Sequence, residues 1–391
     1  MKKLLFLCLL LPLSCHVAPP TEPMPFPEAA AELRSDELAL RMFAQLAQEQ
    51  QGNIVFSPAG AEALLRMLKE GAAGQTRAEM DALPPMGEAD VPTTMRPKTA
   101  QALFLCSDKV ELHEGILPET ELHRVSEGSA LCDINRWVSK QTKGRLPAAL
   151  SALPPNTRLV PVSAVYLEEK WLEPFGKNMT REEDFTLSSG KRIKVPMMHK
   201  GTAPCLYAEG PDWQAVALFY RREGREGVPG CFIGIRPKGE ARAFARSLTP
   251  AKWRQIRREL RDDSRHGTRH LTDISLPRFR TDPLSTDLTP ALRAMGMCAA
   301  FSPQTADFSR LATVTPTDAL FLDKVQQVAC VKLNEEGTEA AAATYAPMIG
   351  CCAIIPPQAT RRIRFDKPFI WAIADLSSNA APWFMGLTAE P

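Results

Sequence analysis

The alternation of apolar and polar positions sets out the elements before anything else about the chain is known. Between Ser35 and Gln51, Leu38, Met42 and Leu46 recur at helical spacing, Ser35 stands where a cap would, and Gly52 ends the run. The pattern predicts an amphipathic helix. Asn53-Ile54-Val55-Phe56 reads as a short strand. Ser57 and Pro58 then supply a cap and a first-turn proline for a helix carrying Leu64, Leu65 and Leu68, which breaks over Gly71–Thr76. Leu159–Phe175 (LVPVSAVYLEEKWLEPF) opens as a nearly unbroken apolar run, the pattern of a buried strand. After Thr249-Pro250, Trp253, Ile256 and Leu260 share one helix face. Lys252, Arg254, Arg257, Arg258, Arg261, Arg265 and Arg269 crowd the remainder, against Glu259, Asp262 and Asp263. Such a face is either a patch for a sulfated or sialylated glycan or a solvated helix surface, and the second is the commoner case.

One stretch fits neither template. Asn334–Pro347, NEEGTEAAAATYAP, leads with Glu335 and Glu336, passes Gly337, Thr338 and Glu339, and runs through Ala340, Ala341, Ala342 and Ala343 to Thr344. Propensity alone predicts a helix. Gly337 frees the backbone, however, and Pro347, Gly350 and the adjacent Cys351-Cys352 read as exposed loop.

Composition narrows the class. The 391 residues are 45% hydrophobic and 24% charged, an ordinary globular balance with ample core. A net charge of +2 gives no reason to expect nucleic acid or an anionic lipid surface as partner. The 34 prolines argue against a mostly helical bundle. Met1-Lys2-Lys3 and the apolar run Leu4–Leu13 form an export signal too short to span a bilayer. Leu13-Ser14-Cys15 resembles a bacterial lipobox, with Pro12 departing from the usual aliphatic residue. That resemblance implies cleavage before Cys15, lipidation of Cys15, and anchoring at the outer membrane or cell surface, with secretion as the alternative. The prolines from Pro19 to Pro27 make an extended spacer. The expected layout is thus signal peptide 1–14, tether 15–30 and a single domain 31–391.

Candidate chemistry is sparse. Ten cysteines in an exported chain raise the question of disulfides, but Cys106, Cys132, Cys205, Cys231, Cys298 and Cys330 lie singly in apolar contexts and are expected to be mostly buried thiols. No metal set or cofactor motif is expected. No Gly-x-Ser-x-Gly, no His-Glu-x-x-His and no phosphate-cradling loop is present. The six histidines have no evident nucleophile partner in the sequence. A protease built on Cys351 with a distant histidine is the remaining enzyme reading.

These pieces together resemble the serpins. Asn334–Pro347 resembles the hinge of their reactive-centre loop, and the landmarks around it follow the family's order. They are Asn53–Pro58 with Gly71–Thr76, Ile134-Asn135-Arg136-Trp137-Val138 with Thr142–Leu146, Trp171 with Pro174-Phe175, and Phe185 with Val195–Met198. Ile274–Phe279, Met295–Met297 with Ala306–Phe308, Phe365–Ile370 and Phe384–Gly386 complete the set. The resemblance covers roughly residues 30–391 without an evident linker or internal repeat. It implies an α+β serpin fold: one domain with a large, mainly antiparallel central sheet, further sheets, several helices and an exposed reactive-centre loop at about 335–357.

The resemblance also implies a monomeric suicide inhibitor and not an enzyme. A protease attacks the loop, and the cut loop enters the central sheet as a new strand before the acyl-enzyme can hydrolyse. The residues are compatible with that fate. With Thr338 inward, alternation places Ala340, Ala342, Thr344, Ala346, Met348 and Gly350 on the same face, none of them charged. A charge there would be buried unpaired, at several kcal/mol. At about 1 kcal/mol net per hydrogen bond, a strand bonded on both sides gains upwards of ~10 kcal/mol, comparable with the ~5–15 kcal/mol stability of a whole domain. Counting from Gly337 at the family's interval places the cut at Cys351–Cys352, and counting back from Ile355-Pro356-Pro357 places it at Ala353–Ile354. Small or apolar bait residues point to elastase-like, subtilisin-like or papain-like proteases. Pro347 removes one ladder donor and is expected to slow late insertion. Where the family uses Ser, Asn and His to latch the sheet, this chain has Gly60 after Ser57, Ser163 and Gln327. A Gln327–Ser163 bond is the expected substitute, with Trp171 nearby. A non-inhibitory binding module, for glycan through the basic helix, is the competing reading.

Overall fold

The computed structural model describes residues 36–85, 98–106, 110–118, 121–146, 150–154, 157–221, 230–265, 271–281, 284–313, 319–338, 361–377 and 381–391. The signal segment and tether, including Cys15, lie outside them, as do Glu339, Ala340–Ala343, Thr344, Cys351, Cys352, Ala353 and Ile354.

The helices end where local chemistry says they should. The first runs Asp36–Glu49, with Leu38, Met42, Phe43 and Leu46 buried along one stripe. The next, Pro58–Gly71, starts on Ser57, whose Oγ accepts the Gly60 N–H at 3.2 Å, with Pro58 in the first turn. The helix predicted after Thr249 spans Pro250–Arg265, and Trp253, Ile256 and Leu260 are fully buried.

The strands that frame the site are, in chain order, β1 (Lys98–Leu105), β2 (Leu122–Arg124), β3 (Leu159–Tyr166), β4 (Glu169–Lys170), β5 (Arg181–Thr186), β6 (Arg192–Pro204) and β7 (Leu271–Pro277). They continue with β8 (Phe279–Arg280), β9 (Leu284–Asp287), β10 (Gln326–Cys330), β11 (Lys332–Leu333), β12 (Gly337–Thr338) and β13 (Arg361–Arg364). The central sheet has two halves set end to end. Its lower half is ordered β9-β10-β3-β1-β2 and its upper half β8-β11-β12-β4. The chain passes from lower to upper half along β3 to β4 and along β10 to β11 within a few residues. Most pairings are antiparallel, but β3 and β10 lie side by side in parallel, Gln326 opposite Val162 through Cys330 opposite Tyr166.

A six-stranded sheet packs behind, built from Ile54–Phe56, Phe384–Thr388, Phe369–Ala374, Cys231–Pro237, Trp213–Phe219 and Leu206–Glu209. A third sheet, ordered β13-β7-β6-β5, caps one end. Three apolar clusters fill the spaces. The largest joins the helices to the six-stranded sheet. A second contains Trp171, Phe175, Leu333, Phe365 and Phe369 and lies between that sheet, the upper central half and the third sheet. In the third, Val160, Val162 and Ala164 of β3 meet Ile134 and Val138 of the helix Ala130–Gln141. All eight residues of β3 are therefore buried, as its continuous apolar sequence requires. This is an α+β architecture with the large, mainly antiparallel central sheet that the resemblance implies.

Candidate functional site: the hinge and the seam below it

The hinge is a tight antiparallel turn from β11 into β12. Asn334 N–H donates to Gly337 O at 2.9 Å, and Asn334 Oδ1 accepts the N–H groups of Glu336 (2.9 Å) and Gly337 (3.2 Å). β12 lies between two strands: Thr338 pairs with Leu333 of β11 and Glu169 of β4, and Gly337 pairs with Lys170. A Cβ on Gly337 would stand 2.1 Å from the Glu169 carbonyl oxygen, so only glycine permits that approach. Thr338 is fully buried, and its Oγ1 lies 2.6 Å from the Tyr220 hydroxyl.

Trp171 anchors the turn. Its indole Nε1 donates to Asn334 O at 2.9 Å, its backbone N–H to Glu336 O at 2.9 Å, and its ring stacks on Tyr220 at 4.7 Å. The two carboxylates divide. Glu335 is 4% exposed, with Oε1 bonded to Arg278 Nη2 (2.5 Å) and Thr180 Oγ1 (2.7 Å). Burial works to raise its pKa, but the Arg278 guanidinium and the Thr180 hydroxyl outweigh it and hold the carboxyl below its ordinary value. Glu336 is partly buried and pairs with Lys177 at 2.6 Å.

Below β12, nothing separates β3 from β10. The latch on this seam differs from the expected one. Ser163 and Gln327 are cross-strand neighbours, yet the Gln327 carboxamide bonds elsewhere. Its Oε1 accepts the Ser57 N–H (2.6 Å) and its Nε2 donates to the Ser57 carbonyl (2.8 Å). Ser57 Oγ in turn donates to Trp383 O (2.7 Å). The Ser163 hydroxyl, fully buried, has no hydrogen-bond partner among the described residues. Gly60 closes the arrangement: a Cβ there would meet Val165 Cγ2 at 2.6 Å and Ser163 Oγ at 2.8 Å.

Cys106, Cys205, Cys231 and Cys330 are buried free thiols, as expected of most of the six, and Cys132 and Cys298 are exposed. The basic helix is neither a bare patch nor a simply solvated face. Arg257 is 1% exposed and donates to Asp375 O (2.7 Å), with burial pushing its pKa down to about 10. Arg261 donates to Leu376 O (3.1 Å), Arg254 lies 3.6 Å from Asp36, and Lys252 pairs with Asp212. One histidine does meet a hydroxyl. His199 Nδ1 lies 3.1 Å from Ser275 Oγ, and its Nε2 lies 2.8 Å from Glu183 Oε1. Ser275 is 6% exposed and lies within paired β7. Strand pairing joins these residues across the third sheet, a juxtaposition absent from their sequence spacing.

Known proteins place this geometry. A structure titled as the thermophilic serpin tengpin in its native state superposes with a TM-score of 0.78 over 92% of this chain and 93% of that one, at 22% identity. An uncharacterised serpin-like protein of Thermococcus kodakarensis is 30% identical over 365 residues, covering 87% of this chain and 81% of its own length. Plasminogen activator inhibitor 1 of Neovison vison is 28% identical over 395 residues, covering 93% of each. The family model described as "Serpin (serine protease inhibitor)" matches residues 34–105 and 119–391, and the chain belongs to the serpin family.

Proposed function

We propose that this serpin is a suicide-substrate inhibitor of serine proteases, and of papain-like cysteine proteases, that prefer small or apolar residues. The observation that carries the reading is the state of the central sheet. β12 already occupies a strand position between β11 and β4, while directly beneath it β3 and β10 run in parallel with no strand between them. A chain continuing from Thr338 would run antiparallel to both, so one new strand would gain bonds along each side. Residues 338–350, with an uncharged inward set, fit that position over about 43 Å. The bait bond on this reading is Cys351–Cys352, with Ala353–Ile354 as the alternative.

The test is a denaturing gel after mixing with elastase, subtilisin and papain. A band at the summed mass that survives boiling is expected, and sequencing the released C-terminal fragment identifies the bond. Loop cleavage without an adduct across the panel would leave the binding-module reading. The glycan version of that reading is poorly served here, because Lys252, Arg254, Arg257 and Arg261 are engaged within the protein. Export with a lipid on Cys15 belongs to the same proposal. Incorporation of labelled palmitate that Cys15→Ser abolishes is the expected result.

A further inference from the structure

An exposed apolar side chain stands beside the hinge. Leu172, just past β4, is 49% exposed and forms the lip of a pocket of about 330 Å³. Leu218 and Phe219, at the end of the strand Trp213–Phe219, supply an apolar wall. The nearly buried rings of Trp171 and Phe175 line the pocket as well. Its size falls within the range of small-ligand sites.

One ammonium enters that apolar lining. Lys200 reaches in from β6 with its side chain 17% exposed, and its Nζ lies 5.7 Å from the centre of the Phe175 ring. Nζ donates to the Glu173 carbonyl at 2.7 Å and lies 3.3 Å from Glu173 Oε2. An ammonium has three donors, and among the described residues Glu173 alone receives any of them. Burial pulls the Lys200 pKa below its ordinary value, and the half-exposed Glu173 carboxylate does not make up the difference. The pocket thus sets an under-compensated cation against an apolar wall.

The same segment carries the hinge. Trp171 N–H donates to Glu336 O and Phe175 N–H to Glu335 O, both at 2.9 Å, while Leu172 N–H donates to Phe219 O at 2.8 Å. Residues 171–175 line the pocket with their side chains and hold the hinge with their amides.

We propose that this pocket binds a small carboxylate with a short apolar tail, and that the bound molecule steadies the hinge. The ligand carboxylate pairs with the Lys200 ammonium in place of the Glu173 side chain, which turns to water while the Glu173 carbonyl keeps its hydrogen bond. The tail lies on Leu172, Leu218 and Phe219. A cationic ligand would be repelled by Lys200, and an uncharged one would leave the ammonium short of counter-charge. Occupancy packs residues 171–175 from outside, so the two amides that hold Glu335 and Glu336 open less often.

The test uses the full chain, with 3-phenylpropionate and octanoate as probes titrated by calorimetry at pH 7. Saturable binding with a dissociation constant of order 1 mM is expected, the strength that ligand efficiency sets for molecules this small. Lys200→Met should weaken binding about tenfold, and so should replacing the acid by neutral 3-phenylpropanamide on the unaltered chain. Glu173→Gln removes the competing carboxylate and should tighten binding about threefold, which a purely structural Lys200–Glu173 pair would not do. Hydrogen exchange of peptides carrying the Trp171 and Phe175 amides, at ligand about tenfold above its dissociation constant, should slow by up to about tenfold. Failure of both probes to saturate, equal binding by Lys200→Met, or an amide that binds as tightly as the acid overturns the site. Binding that leaves exchange at both amides unchanged overturns its link to the hinge.

Discussion

Gln327 shows how far a single side chain's role can lie from its neighbours in sequence. Its carboxamide satisfies both backbone groups of Ser57, 270 residues away. Replacing it with alanine leaves the buried Ser57 N–H unpaired, while the Ser57 carbonyl keeps the Ala61 N–H at 3.0 Å. Gln327→Ala is therefore expected to lower the unfolding free energy by about 1–3 kcal/mol in urea titration. Ser163→Ala should do the reverse, since it removes a buried hydroxyl that has no partner among the described residues. A gain of up to about 1 kcal/mol is expected, read in the same titration. The sequence marked both residues, but it could not say that Ser57 takes the amide, because that depends on how the helix Pro58–Gly71 meets the sheet. Glu62, on that helix, is a further case. It is 9% exposed, its Oε1 has no hydrogen-bond partner among the described residues, and burial raises its pKa to about 7. The folded state thus favours the protonated acid. Stability from this group is full below its unfolded value near 4.5 and is lost as pH rises through about 7. Glu62→Gln should stabilise the protein at pH 8, by something of order 2–3 kcal/mol, and have little effect at pH 4. Melting temperatures across that range check it.

Among the elements, those written by local signals were the readable ones. The helix Pro58–Gly71 follows from Ser57, Pro58 and an apolar stripe, and β3 follows from its uninterrupted hydrophobic run. The hinge was marked by Gly337, but the partners that hold it were not. Trp171, Tyr220, Thr180 and Arg278 arrive from three separate parts of the chain, and no periodicity links them to Glu335 or Thr338. The basic helix was misread for a related reason. Arg257 stands four residues after Trp253 and three before Leu260, inside the apolar stripe, so spacing sends it inward; its charge argued for solvent, and the Asp375 carbonyl takes the guanidinium instead. The hinge makes its own prediction. Arg278→Met leaves the Glu335 carboxylate buried without a counter-charge. Arg278 is about half exposed, so the expected loss is about 1–3 kcal/mol and not the full cost of a buried pair. The depressed Glu335 pKa fixes the sign: the contribution is present above the unfolded value near 4.5 and disappears as pH falls below it. Parent and variant should therefore differ at pH 7 and converge toward pH 3 in thermal melts.

For the whole molecule, the central sheet is the element that gains a strand on the insertion reading. Its lower half closes β3 on β10 by parallel pairing, while the six-stranded sheet and the helices behind have no comparable gap among the described residues. On the insertion reading, clipping the bait stretch should raise the melting temperature well above that of the intact chain. With a gain of upwards of ~10 kcal/mol, the shift should amount to tens of degrees. Scanning calorimetry before and after limited proteolysis reads it directly. The fold was legible because its landmarks are spread along the chain in a fixed order. The state of the sheet was not, because composition is the same whether β3 touches β10 or a guest.

The two residues of β12 have a kinetic meaning as well. A strand that begins from nothing must order its first residues before any neighbour rewards them. Here Thr338 is already seated, like the slider of a zip at the top of its track. On the insertion reading, progress down the seam is then a matter of propagation, and a protease that cuts the bait stretch runs against a process whose slowest step was completed when the chain folded.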